Sequence, residues 1–358
     1  MTETKKDIIT EKMLTKSTRF EIIKPVNCDW DELGKALRDL SWQSYRMANC
    51  LVTQLYVFDQ YRNEQKRITG EYPSELLNEY QLLREAFPEV GTAIVSQTAQ
   101  VVRKMYQSDR KAVFANQKSL PTFRNMPICI HNQVWKIEKS GENTFVIDAR
   151  LFPKEAERSR FSFIIKYKNA GHRQLLESLA DGLYKQGMMQ ILKDKHGKWY
   201  AVLTFSFNKK RIESLEEKTL EVDMSSEGIS LKISESEYVN TLPIDDIKKT
   251  LHQFRSRQQQ ILDQKEIRGE GRHGHGRKAL LKPQQNIQDK LANFKTTKNH
   301  NLSRYIIDYA VRRKCSCIAV GDKSFIPDWT IFDLCSKMKY KAEEAGLVYI
   351  EKPEGKQE

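Results

Sequence analysis

Hydrophobic periodicity changes more than once along this chain, and that rules out an all-α or an all-β fold. Behind Asp29, an N-cap residue type, Leu33, Leu37, Leu40, Met47, Leu51, Leu55 and Phe58 recur at helical spacing and predict a long helix to about Tyr61. Pro73-Ser74-Glu75 opens a second predicted helix ending near Phe87-Pro88. A third runs from about Val90 to Phe114, with Ile94, Thr98, Val101, Met105 and Ala112 on one face. From Lys118 the period shortens to two. MPICIH, QVWKIEK, TFVIDARLF, RFSFIIKYK, GMMQILKD and KWYAVLTFSF read as six short strands separated by turn signals such as SGEN and KHGK, the pattern of a small antiparallel barrel or sandwich. TRFEIIKPV at 18–26 reads as a strand with no partner in the helical block. Pairing it with the later sheet makes the block an insertion into the barrel.

A third pattern begins at Leu220. LEVDMS, GISLKIS and EYVNT predict three consecutive strands, followed by helices at about 243–267 and 284–313. A strand at 315–322, a helix at 329–345 and a strand at 347–352 complete the series. The order β-β-β-α-α-β-α-β is the plan of an RNase H-like fold, an antiparallel trio extended by parallel strands. The linker RGEGRHGHGRK (268–278), with four glycines, reads as flexible.

Charge narrows the function. Sixty Lys and Arg against 47 Asp and Glu give the 358 residues a net charge of +13, which favours a polyanionic partner. Thirteen basic and only four acidic residues fall between Lys248 and Lys298. No stretch approaches the ~20 apolar residues of a membrane span, and MTETKKDIITEK lacks the apolar core of a secretory signal. Six scattered cysteines fit a reduced cytosol. Cys315-x-Cys317 reads as core thiols rather than half a metal site, and His273 and His275 as phosphate- or solvent-facing. No phosphate loop, nucleophile elbow or HExxH is present.

Strand, helical insert, barrel and RNase H-like region together resemble the transposon-encoded TnpB family and its relatives, the miniature type V CRISPR effectors. The stretches that carry the resemblance are FANQKSLPTFRNMPICIH (114–131), HGKWYAVLTF (196–205), LEVDMSSEGISL (220–231), NHNLSRYIIDYAVRRKCSCIAVGD (299–322) and KMKYKAEEAGLVYIEK (337–352). The resemblance implies an α+β multidomain chain. Residues 1–28 form an N-terminal arm and first wedge strand, and 29–115 a helical recognition lobe. Residues 116–215 form an OB-like wedge barrel, and 216–358 a RuvC-like domain of RNase H fold.

In that family, RuvC hydrolysis uses two divalent metals clamped by carboxylates from different strands. The first motif keeps Asp223. The second presents Gly321 where the family has Glu, and neighbouring Asp322 is expected to face the other side of the strand. The third motif and a four-cysteine zinc ribbon are not found before Glu358, so the domain is expected to be truncated. The expectation is therefore a vestigial site (Asp223, Gly321) in a protein that is not an enzyme. It would have no cofactor and no zinc or catalytic Mg²⁺, and would resemble the nuclease-dead TnpB-like repressors of TldR type.

Binding residues remain. Gln is suited to adenine and Thr to the thymine methyl, so Gln97, Thr98 and Gln100 are candidate readers of the AT-rich motif that the family recognises beside its target, with Arg103 on the backbone. Lys104, Arg110, Lys111, Lys118, Thr122, Arg124 and His131 are candidate contacts to guide RNA or duplex. Arg255, Arg257, Arg268, Arg272, Arg277, Lys278, Lys282, Lys295 and Lys298 are candidates for the guide–target heteroduplex. The expected protein takes a guide RNA as obligate partner, binds double-stranded target DNA, forms an R-loop and represses transcription by blocking polymerase. Its expected place is the nucleoid of a bacterial cytoplasm, as a monomer in its ribonucleoprotein with a dimer also open. The alternatives are a minimal RNA-guided endonuclease in which Asp322, Glu227 or Glu351 rebuilds the metal site, a guide-RNA-binding protein without DNA targeting, and a guide-independent repressor.

Overall fold

The computed structural model describes residues 13–208, 216–234, 236–268 and 276–352, without the side chains of 216, 265–268 and 276–282. The chain divides at Phe207/Asn208 into two compact units, each with its own apolar core.

The first unit opens with β1 (Leu14–Pro25), four residues longer at its start than predicted. Three helices follow: α1 (Trp30–Thr69), α2 (Glu79–Ala86) and α3 (Thr92–Phe114). Asp29 caps α1 by accepting the Glu32 N–H at 2.8 Å. The helix continues two turns beyond Tyr61, because its stop signal is Gly70, which takes the left-handed φ of 84° and returns its N–H to the Lys66 carbonyl. The predicted start of α2 at Pro73 is corrected to Glu79. Asn78 is the residue whose side chain accepts an amide of the first turn, that of Gln81.

The sheet then forms from β2 (Ile128–Ile130), β3 (Trp135–Lys139), β4 (Phe145–Arg150), β5 (Arg160–Lys166), β6 (Lys185–Lys193) and β7 (Trp199–Phe207). Between β5 and β6 lies α4 (Ala170–Ala180), a helix the strand pattern hid. Its signals were the Asn169 cap and the Leu175, Leu176, Leu179 spacing. The strand order is β2-β6-β7-β1-β5-β4-β3. β1 pairs antiparallel with both β5 and β7, so the strand before the helices completes a sheet made after them. The sheet curls. Gln186 of β6 donates to the carbonyls of Asn132 and Trp135 at 2.8 Å, and the Trp135 indole N–H returns to Gly187 at 3.2 Å, tying β6 to the start of the edge strand β3. Helices and sheet share one core: Leu33, Leu37 and Val102 belong to the same buried cluster as Phe20, Phe163 and Leu203.

The second unit holds β8 (Glu216–Met224), β9 (Gly228–Ile233), β10 (Val239–Pro243), α5 (Asp245–Arg268), α6 (Gly276–Arg312), β11 (Cys315–Val320), α7 (Ile331–Glu344) and β12 (Val348–Glu351). Its order is β10-β9-β8-β11-β12. The β10-β9-β8 trio is antiparallel, and β11 and β12 extend it in parallel, as the sequence pattern implied. α6 starts eight residues before the expected helix and carries Pro283 inside it. Leu220, Val222, Ile318 and Val320 face the core formed with Ile306, Ala310, Leu334 and Met338. Cys315 and Cys335 are buried and Cys317 is half-buried, all as free thiols. His273 and His275 lie outside the described residues. No described helix is long and apolar enough to cross a membrane.

Candidate nucleic-acid interface

The third helix sorts its polar residues by geometry. Its buried stripe is Ile94, Val95, Thr98, Ala99, Val102, Tyr106 and Val113, so it is turned away from the predicted Val101 and Met105 edge. Thr98 is 0% exposed, and this corrects its nomination as a motif reader, because its side chain lies in the core and cannot reach a groove. Gln97 is half-buried and Gln100 exposed. Arg103 is also reassigned. Its guanidinium closes on the buried carboxylate of Glu79, with Nε to Oε1 at 2.6 Å, and so braces α2 against α3. Arg110 does the same across α1 and α3, reaching Asp59 Oδ1 at 2.9 Å and Oδ2 at 2.6 Å. The Tyr106 hydroxyl donates to the same carboxylate at 2.7 Å, and burial followed by that carboxylate pushes the phenol well above its ordinary pKa. Lys118 pairs with Asp109 at 2.6 Å.

Lys104 and Lys111 are exposed and make no ion pair among the described residues. With Gln100 and Gln107 they form a stripe at spacings of four, three and four, which is one helix edge. Gln107 was missed in the sequence, although that spacing identifies it. Thr122 and Arg124 are exposed on either side of Phe123. Asn49 of α1 grips the Phe123 backbone with a donated and an accepted hydrogen bond, both 2.9 Å. Asn49 is thus a positioning residue with no local signal, since its partner lies 74 residues away. His131 accepts the Gln133 N–H at 3.3 Å and serves as a local cap.

In the second unit, Arg255 donates to Asp328 Oδ2 at 3.2 Å, Lys295 bonds the Asp328 carbonyl, and Lys298 pairs with Asp246. Arg257 is exposed without an ion pair among the described residues. Arg268, Arg277, Lys278 and Lys282 lie on α5 and α6 with side chains outside the described set, and Arg272 lies wholly outside it.

Four carboxylates at the sheet end are engaged. Asp223, the penultimate residue of β8, is exposed, and its Oδ1 accepts the Asp322 N–H at 2.9 Å. β11 ends at Val320, and Asp322 follows it where the chain turns. Its carboxylate accepts the Ser324 N–H at 2.9 Å and the Ser324 hydroxyl at 2.6–2.7 Å, which hold it below the usual Asp pKa. A Cβ at Gly321 would fall inside contact distance of Asp223 Oδ1. Glu351 pairs with Lys323 at 2.5 Å and Glu221 with Lys352 at 2.7 Å; these lysine hydrogen bonds lower both carboxyl pKa values. Glu227 lies exposed in the β8–β9 turn. Among the described residues no three His, Cys, Asp or Glu side chains converge as a metal-ligand set.

No family model matches the sequence. Two curated proteins do. The CRISPR-associated endodeoxyribonuclease Cas12f1 of Sulfoacidibacillus thermotolerans is 28% identical over 371 residues, covering 94% of this chain and 86% of that protein. Cas12f1 of Syntrophomonas palmitatica is 24% identical over 344 residues, covering 89% and 68%. Among solved structures, the Cas12f1–sgRNA–target DNA complex has the same fold, with a TM-score of 0.74 at 14% identity over 95% of this chain and 89% of that one. Homology to Cas12f1, a miniature type V effector, supports the TnpB/Cas12f-like family to which the sequence stretches pointed. It also corrects one expectation. The chain was expected not to be an enzyme, yet both curated relatives are named endodeoxyribonucleases. That expectation rested on matching carboxylates motif by motif, whereas the similarity to named nucleases extends over nearly the whole chain.

Proposed function

We propose that this chain is an RNA-guided DNA-binding protein: it holds a guide RNA and pairs it with duplex DNA beside a short AT-rich motif. The observation that carries the reading is similarity to Cas12f1 over 94% of the chain, and the unpaired basic stripe of α3 is consistent with it. In this reading residues 29–115 form the recognition lobe. Gln100 and, where its half-buried amide reaches, Gln97 touch base edges, while Lys104, Lys111, Thr122 and Arg124 hold phosphates. Residues 116–215 with β1 form the wedge, and 216–358 the RuvC-like part, whose exposed Arg257 faces the guide–target duplex. Neutralised phosphates release counterions and supply affinity, and base pairing supplies the address. Where the address overlaps a promoter, occupancy blocks RNA polymerase.

The test is to purify the protein from cells and sequence the RNA it carries. One scaffold joined to a guide segment is expected, and a reporter placed under a promoter matching that segment should fall in expression. A preparation carrying no discrete RNA would overturn the reading. A second reading, RNA-guided DNA cleavage, is favoured by the names of both relatives. A supercoiled plasmid bearing the guide match, incubated with the ribonucleoprotein and Mg²⁺, separates the two: nicked or linear product supports cleavage, and bound but intact plasmid supports binding alone.

A further inference from the structure

The end of the parallel strand pair in the second unit carries a side-chain-to-backbone contact. Ladder pairing continues past β11: the Gly321 N–H donates to the Val222 carbonyl at 3.0 Å and the Met224 N–H to the Asp322 carbonyl at 2.8 Å. The next amide, that of Asp322, has no carbonyl opposite it and is taken by Asp223 Oδ1 at 2.9 Å. That oxygen lies where a side chain at 321 would begin. Beyond it the chain turns on the Asp322–Ser324 hydrogen bonds and runs to Asp328, which Arg255 and Lys295 hold, and to Trp329, whose indole N–H donates to Asn299 at 2.8 Å.

We propose that Asp223 and Gly321 form a side-chain-to-backbone lock on this strand end, and that the lock positions the 322–329 loop and, through Asp328, the basic side chains of Arg255 and Lys295. Asp223 is here a positioning residue acting through the Asp322 amide. Its chemistry is hydrogen-bond acceptance, which an amide oxygen supplies as well as a carboxylate oxygen. Gly321 is required because any Cβ takes the space of that oxygen. The two positions are therefore coupled, and each loses its purpose when the other is changed.

Amide hydrogen exchange on the full-length protein tests this, with Val222 and Ile318 as strand amides that report whether the sheet stays folded. Asp223→Ala is expected to speed exchange at Asp322 and Ser324 about tenfold, the scale of one lost hydrogen bond, while Asp223→Asn leaves both within about twofold. Gly321→Ala is expected to match Asp223→Ala, and the double variant to exchange no faster than either single one. Unchanged exchange in Asp223→Ala overturns the lock. So does equal loss in Asp223→Asn and Asp223→Ala, which a carboxylate acting as a divalent-metal ligand would give, and so does an additive double variant.

Discussion

The exposed edge of α3 and the carboxylate end of the second sheet are both rich in charge, yet they use it oppositely. On α3 the two arginines are taken by Glu79 and Asp59, while Lys104 and Lys111 stay unpaired. At the sheet end, Asp223, Asp322, Glu221 and Glu351 all have partners: two take backbone or serine donors, and two take lysines. A charge with an internal partner is already solvated by the protein and offers little to a ligand. An unpaired exposed cation retains its full attraction for phosphate. On the proposed function, the difference leaves α3 as the surface open to a polyanion and the sheet end as a braced corner.

Removing a brace should have the largest effect. Arg110→Ala leaves the buried Asp59 carboxylate with only the Tyr106 hydroxyl, and should cost about 2 kcal/mol of stability, read from the midpoint of urea unfolding. If Arg110 were instead mainly a nucleic-acid contact, stability would hold and affinity would fall. Reversing the free stripe inverts that pattern. Lys104→Glu with Lys111→Glu should leave the unfolding midpoint in place, weaken duplex binding at least ~tenfold at low salt and reduce the salt-dependence slope by about 2. Gln100→Ala is a smaller change. It should cost about 1 kcal/mol of discrimination at one motif position, measured by binding to a panel of single-base variants, with little change in affinity for the rest.

The smallest effect concerns the sheet end. Lys323 holds the Glu351 pKa below its ordinary value of 4.5. A depressed carboxylate pKa gives stability that is full above that ordinary value and is lost as pH falls through the lowered one. The melting temperature of the parent should therefore exceed that of Glu351→Gln at pH 7, and the gap should narrow as pH falls below 4.5. Both groups are solvated, so the gap is small.

Much of the fold was legible because period-two alternation survives tertiary context. Each of the six short strands predicted after Lys118 has its counterpart among β2–β7, and the plan of the second unit follows from strand order alone. Helix ends were less legible. Gly70 stops α1 and Asn78 starts α2, while Tyr61 and Pro73 drew the boundaries toward themselves. The site was only half legible, for a geometric reason. An i, i+4 pattern cannot say which way a helix is rolled, so Thr98 was assigned both to an apolar face and to a groove, and its burial decides between them. Nor does composition show that Arg103 and Arg110 meet carboxylates 24 and 51 residues earlier. Asp223 was visible as an acid, but its acceptance of the Asp322 amide needed the coordinates of a residue 99 positions away.

Guide-directed DNA binding is tested most directly by measuring duplex affinity with the RNA that co-purifies with the protein. Guide-matched and scrambled duplexes of equal length are titrated at ~150 mM salt, before and after RNase treatment. Binding of the matched duplex at least ~100-fold tighter than the scrambled one, abolished by RNase, is the expected result. Equal affinity for both duplexes, or a preference that survives RNase, would contradict it.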